Sequence, residues 1–303
     1  SSGAAASPGN AGSSGNAGST GRAGAGGAAA GAGGKPDGGA AGNPGSDAGP
    51  PPTDGGVPSK ILIYCVTTGF HHASIPAAAK AIATVMKTAH GVDADQVSCD
   101  GKQGPPDPTK FTTAALAGYG AVILLANSGL PFGGTTMGKT EIENLDAFVK
   151  NGGGLVAIED ADHCYDGGFM DVPNQTYINL IGNDFGGHSG NGPATCRRAD
   201  TDNNPAVAQL PTKAFAVSDE IYSNKAFNPL NNVVLKCTSS GGTEHIISYT
   251  REKTADTGNG RVFYTALGHN DVEWTAALDS SVANTRLTED HVIPALLWTM
   301  HRL

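Results

Sequence analysis

Side chains suited to metal ligation, proton transfer or hydroxyl recognition gather at a few points of this chain, each just past a short apolar run. Thr67, Thr68, His71 and His72 follow Lys60-Ile-Leu-Ile-Tyr-Cys-Val66, and Asn127 and Ser128 follow Ala121-Val-Ile-Leu-Leu-Ala126. Glu159, Asp160, Asp162 and His163 follow Leu155-Val-Ala-Ile158, and His269, Asn270 and Asp271 come after Arg261-Val-Phe-Tyr-Thr265. Asp184 and His188 follow an isolated Leu-Ile-Gly, and Asp219 and Glu220 follow Phe215-Ala-Val217. Neutral imidazoles and carboxylates ligate divalent metals and also act as general acids and bases. They also hydrogen-bond sugar hydroxyls, with Tyr165 or Trp274 available to pack against a sugar face. Taken singly, each also fits an ordinary turn or loop cap. As a set they predict a functional cleft.

Two sharper chemistries are weighed and set aside. Gly133-Gly-Thr-Thr-Met-Gly-Lys139-Thr140 matches the G-x-x-x-x-G-K-[ST] phosphate-loop pattern in full. In a working phosphate loop the glycines leave the strand directly, whereas Ser128-Gly-Leu-Pro-Phe132 intervenes here. The acidic strand end Glu159-Asp160 also follows too closely to be the usual magnesium-holding partner. A plain loop and capped helix is therefore expected, and no nucleotide. The turn after Ile158, where related α/β folds carry a nucleophile, reads Glu159-Asp160-Ala161 with no Cys, no Ser and no flanking Gly. Cys164 lacks that context, and a thiol-dependent reaction is not expected.

The apolar runs that carry these residues are short, rich in β-branched residues and without polar alternation, as in strands buried on both faces. Between them lie helical stretches, one from Ser74 through Met86 and one opened by a Thr140/Glu143 capping box and stopped at Gly152. With a strand at 92–98, the order is β-α-β-α-β-α-β, which predicts a parallel sheet covered on both sides. Further strands are expected near 213–217, 232–237, 245–250 and 261–266, and helices at 175–181 and 288–302, the last interrupted by Pro294.

Residues 1–58 are almost entirely Gly, Ala, Ser, Pro, Asn and Asp, without an aromatic residue. Such a segment has nothing to bury and is expected to be a disordered tether spanning roughly 40–45 Å. Residues 59–303 form one domain of ordinary size. The formal charge of −9 gives no reason to bind nucleic acid or an anionic membrane, and no apolar run reaches membrane-spanning length. The tether and the start at Ser1 rather than Met read as a mature exported form, cell-surface or periplasmic, with a lipid-bearing cysteine just before Ser1 as its only membrane contact. Five cysteines, none in a zinc-finger spacing, suit an oxidising compartment and allow two bridges with one left over.

Several segments, in order, resemble the ThuA-like (trehalose utilisation) family. They are Thr68-Gly-Phe-His-His72 with Ser74-Ile-Pro76, Gly152-Gly-Gly-Leu-Val-Ala-Ile158, Leu180-Ile-Gly-Asn-Asp-Phe185 with Gly187-His188, and Val217-Ser-Asp-Glu-Ile-Tyr222. Gly260-Arg-Val-Phe-Tyr-Thr-Ala-Leu-Gly-His269 is the most specific, and Leu296-Leu-Trp298 fits the end of the domain. The resemblance implies a class I glutamine amidotransferase-like fold, a flavodoxin-like three-layer α/β arrangement, without the amidotransferase nucleophile. It also implies a role with carbohydrate: a trehalose-like disaccharide, a glycoside or a keto-sugar. The family usually carries His where Glu159 stands. On these grounds Glu159, His269 and His71 are the candidate catalytic residues, Glu159 as general base or as a ligand with the histidines to a divalent metal. Thr68, His72, Asn127, Asp160, His163, His188, Glu220 and Asn270 are the candidate substrate-binding residues. A non-catalytic, surface-tethered glycan-binding module fits the same features.

Overall fold

The computed structural model describes residues 58–133, 137–165, 173–199, 204–282 and 284–303. The Gly/Ala-rich segment 1–57 and residues 134–136 of the G-x-x-x-x-G-K-[ST] match lie outside them. Strands β1 (Lys60–Tyr64), β2 (Asp93–Val97), β3 (Ala121–Leu125) and β4 (Gly154–Ile158) come from the first half of the chain. β5 (Phe185–His188), β6 (Gly192–Arg198), β7 (Phe215–Asp219), β8 (Tyr222–Asn224), β9 (Asn232–Ser239), β10 (Glu244–Glu252) and β11 (Arg261–Thr265) follow. Nine of them form one sheet in the order β2-β1-β3-β4-β11-β10-β9-β6-β7, and β5 pairs with β8 apart from it.

The first five strands of that order are parallel. Every residue of β3 and β4 is buried, so both faces are covered, as their uninterrupted apolar sequences require. The remaining pairs are antiparallel. That half of the chain uses short connections, such as 240–243 between β9 and β10, which permit antiparallel pairing but not a crossover.

Helices α1 (Ile75–His90), α2 (Thr113–Leu116), α3 (Met137–Lys150), α4 (Gln175–Ile181) and α5 (Ile293–Thr299) complete the layers. α1 packs against α5, and α3 against α4. Gly154 lets α5 approach β4, because a Cβ there would stand 2.7 Å from the Thr299 carbonyl oxygen.

Two helix expectations need correction. α3 starts at Met137, so Thr140 lies inside its first turn and the Thr140/Glu143 capping box does not form; Glu143 faces Lys139 instead, at 3.7 Å. The stop at Gly152 is as expected, with φ +109° and its N–H on the Val149 carbonyl. The expected interruption of the C-terminal helix falls before Pro294, and the helix ends at Thr299. A wide π-type turn, Thr288–Val292, precedes α5. Pro294 falls in the first turn of α5, where its missing N–H breaks no helical bond.

Two disulfides, Cys65–Cys99 and Cys196–Cys237, brace the sheet, while Cys164 is buried and belongs to neither. Among the described residues no helix is long and apolar enough to cross a membrane.

Candidate functional site

In an open parallel sheet, ligands bind beyond the carboxyl ends of the strands, at the point where the strand order reverses. Here β1 lies between β2 and β3, and the loops after β1 and β3 meet at that point. The Thr68 hydroxyl accepts from the Leu130 N–H at 2.7 Å, and the Asn127 amide donates to the Val66 carbonyl at 2.6 Å. Both expected binding residues therefore latch the loops together. The loop they hold carries His72 inward.

Immediately after β4 the chain turns sharply through Glu159, which has φ +58°. This is the strained position of a nucleophile elbow, and a non-glycine residue costs about 1–3 kcal/mol there. It is filled by a carboxylate with no exposed surface. Glu159 Oε1 lies 3.0 Å from His72 Nε2 and accepts from the Tyr222 hydroxyl at 2.5 Å. Oε2 accepts from the Asp160 N–H. His269, from the loop after β11, places Nδ1 3.7 Å from Glu159 Oε1 and 3.3 Å from Glu220 Oε2. Glu220 Oε1 lies 3.5 Å from His188 Nδ1.

Glu220 and Tyr222 come from the end of β7 and from β8, and β7 is four strands from β11 in the sheet. Flat strands at 4.7–4.9 Å spacing would put them about 19 Å apart, so the twist and curl of the sheet must return β7 to the site. Asp219 makes the join: it accepts from the Gly268 N–H at 2.9 Å, the His269 N–H at 3.3 Å and the Glu220 N–H at 2.7 Å. Gly268, at φ +132°, turns the chain over Trp274, whose indole N–H donates back to the Gly268 carbonyl.

The site is electrostatically crowded. Burial alone would raise the Glu159 carboxyl, but the His269 and His72 imidazoles and the Tyr222 hydroxyl outweigh it and hold it at about 2. His269 is raised above the ordinary imidazole value, chiefly by Glu159 and, against its burial, by Glu220. Burial, then the charges of Glu159 and Asp162, push Asp160 to about 10. Burial pushes Asp162 and Asp219 to about 7. Burial and the Asp219 charge push Glu273 to about 9.

The structure thus brings together Glu159, His269, His72 and Glu220, with His188 beside Glu220. It does not bring His71 into that group: both of its ring nitrogens are buried without a partner, and its neighbour His72 takes the place at Glu159. Asp160 and His163 pair with each other at 3.0 Å one turn beyond Glu159. The Asn270 side chain contacts Asn191 and the Ser218 carbonyl at the rim. Tyr165 and Trp274, expected to face a sugar, are buried. Sequence reasoning gave Asp219 a place among the strand-end polar groups but no role, and missed Tyr222, whose one signal was its place in the Val217–Tyr222 segment around Glu220. The four convergent groups offer one donor atom each, all within 4.8 Å of one another, and can exchange protons, bind hydroxyls or hold a cation.

The comparisons with known proteins agree with this architecture. The family model described as ThuA, trehalose utilisation, matches residues 60–284. A solved ThuA-like protein from Bacteroides uniformis has a TM-score of 0.53 at 19% identity, covering 78% of this chain and 95% of its own. Another, from Parabacteroides merdae, has a TM-score of 0.56 at 16% identity, covering 80% of this chain and 89% of its own. At these identities the likeness shows the fold. No curated protein sequence matches the chain. With the matched segment spanning most of its length and the three-layer fold in place, the chain belongs to the ThuA trehalose-utilisation family.

Proposed function

We propose that the chain binds and processes a carbohydrate at the carboxyl ends of β1, β4 and β11. In this reading His269 exchanges the proton and Glu159 is the buried charge that sets its protonation. The observation that carries it is the placement of His269: its side chain keeps 20% exposure while facing both Glu159 and Glu220. Glu159 is fully buried, has both oxygens engaged and is held at about 2, so taking a proton from a substrate hydroxyl near neutral pH is strongly uphill for it. The general-base role therefore passes to the imidazole.

Removing the Glu159 charge with Glu159→Gln is expected to lower the His269 pKa toward its ordinary value. It should also cut turnover by roughly 10²–10⁴-fold, the usual weight of a general acid–base group. The assay follows product release from trehalose, other disaccharides and their keto forms, with a histidine titration by NMR alongside. Wild-type turnover in the variant would remove Glu159 from the mechanism. Saturable sugar binding with no product from the wild-type protein would favour the second reading, a glycan-binding module, which the Glu in place of the family's usual His also supports.

The carbohydrate class is supported by the family and by one exposed aromatic ring. Phe70 is 58% exposed, yet its carbonyl is clamped by the Thr67 and Ser128 hydroxyls at 2.7 and 2.8 Å. Its ring meets His72 edge-on at 4.7 Å, and His72 meets His269 at 5.1 Å. A ring held this way offers a sugar its apolar face beside the polar cluster. Phe70→Ala is expected to weaken sugar binding by about tenfold, read by calorimetry, with the melting temperature unchanged; equal affinity would take Phe70 out of the site.

The two bridges and the tether composition support export. Cell fractionation with thiol counting tests this. Recovery of the protein from the cytosol with all cysteines reduced would end it.

A further inference from the structure

We infer that His72 Nε2, His269 Nδ1, Glu159 Oε1 and Glu220 Oε2 form a binding site for one divalent transition-metal ion of the zinc type. The first support is the shape of the donor set. Ligands at 2.0–2.1 Å around a tetrahedral ion stand about 3.3–3.4 Å from one another. Three of the six separations are 3.0 Å from His72 to Glu159, 3.7 Å from Glu159 to His269 and 3.3 Å from His269 to Glu220, and all six are within 4.8 Å. The second is an orphaned donor. His269 Nδ1 is shielded from solvent and faces both carboxylates, but forms a hydrogen bond with neither. A lone pair directed at a cation shared with the two carboxylates fits that placement.

The third support is charge. Two carboxylates and two neutral imidazoles carry −2, which a divalent ion cancels. Around them lie Asp160, Asp162, Asp219 and Glu273, all buried. Among the described residues no Lys or Arg pairs with any of these six acids; their partners are His, Asn, hydroxyl and backbone N–H groups. Two carboxylates in a buried site without a fixed cation attract a mobile one. Two imidazoles with two carboxylates favour zinc over the all-oxygen shells that magnesium and calcium take. The Tyr222 hydroxyl on Glu159 Oε1 and the Asp160 N–H on Oε2 supply the outer hydrogen bonds that orient a ligating carboxylate.

The competing account is a purely ionic cluster, with a protonated His269 between Glu159 and Glu220. The two differ in what zinc alone does. The full chain is stripped with chelator and titrated with zinc chloride by calorimetry, in parallel with His269→Ala and Glu220→Ala, each checked for an intact fold by circular dichroism. Wild type is expected to bind one ion per chain, with affinity rising from pH 6 to 8 as the metal displaces protons. Each variant should bind at least about tenfold more weakly. Cobalt substitution should give the intense visible absorption of a four-coordinate ion. No binding by the wild-type protein, or unchanged binding in both variants, overturns the inference. The inference does not rest on the carbohydrate reading, but a bound ion would take His269 Nδ1 as a ligand and so replace the proton-exchange role proposed for that imidazole. Zinc binding without any sugar response removes only the sugar reading. Sugar binding by a chain that takes up no zinc removes only this one.

Discussion

Between pH 6.5 and pH 3 the wild-type protein is expected to lose stability relative to a His291→Gln variant by about 1.4 kcal/mol per pH unit. His291 is fully buried in the wide turn before α5. Nε2 lies 2.9 Å from the Ser248 hydroxyl on β10 and 3.3 Å from that of Thr265 on β11, Nδ1 has no partner, and the Phe263 ring packs edge-on. Burial with no carboxylate to offset it pushes the imidazole down to about 3. The unfolded chain, with an ordinary imidazole, takes up a proton at pH 6.5 that the native state refuses until about pH 3. The stability from this group is therefore complete above pH 6.5 and drains away as the pH falls, to a limit of roughly 5 kcal/mol. The wild-type curve alone does not isolate it, because Asp160 and Glu273 have raised values and act with the opposite sign: their neutral forms favour the fold as the pH falls. Chemical denaturation of both proteins at several pH values gives the difference. Parallel curves would mean that His291 is hydrated or paired in solution.

Loss of either disulfide is expected to lower stability by about 4 kcal/mol, from loops closed over 34 and 41 residues of sequence separation. For a domain of this size that is roughly 8–16 °C in melting temperature. The two bridges should respond in order. Cys196 and Cys237 have no exposed surface and stand directly opposite each other on β6 and β9, whereas Cys99 keeps 8% exposure on an open loop. Mild reductant should therefore open Cys65–Cys99 first. Because Cys65 stands at the head of the loop that carries His72, that step should also weaken whatever the site binds. Alanine pairs at each bridge, compared by scanning calorimetry with and without reductant, test both points. A melting temperature that is the same in both pairs and in the wild-type protein would show that the bridges do not form in solution.

Much of the parallel half was legible in the residues. Strands such as Ala121–Leu125 and Leu155–Ile158 are apolar throughout, and only a sheet covered on both faces buries such a run completely. Because ligand sites in that architecture lie at strand carboxyl ends, Glu159 and His269 could be placed among the candidate groups from local sequence. The helix start at Met137 was not legible, since capping signals of about 1 kcal/mol yield to packing.

What the sequence by itself determined was the type of fold and the inventory of polar groups at the ends of its strands. Only the tertiary structure decided which of those groups meet. His71 and His72 are adjacent, and no local pattern says which turns inward; the latches Thr68–Leu130 and Asn127–Val66 do, and they choose His72. Glu220 and Tyr222 reach Glu159 because the sheet curls far enough for Asp219 to tie β7 to the His269 loop. The low pKa of Glu159 likewise belongs to no single segment. It arises where three loops and strand β8, distant in sequence, place two imidazoles and a phenol around one buried carboxylate.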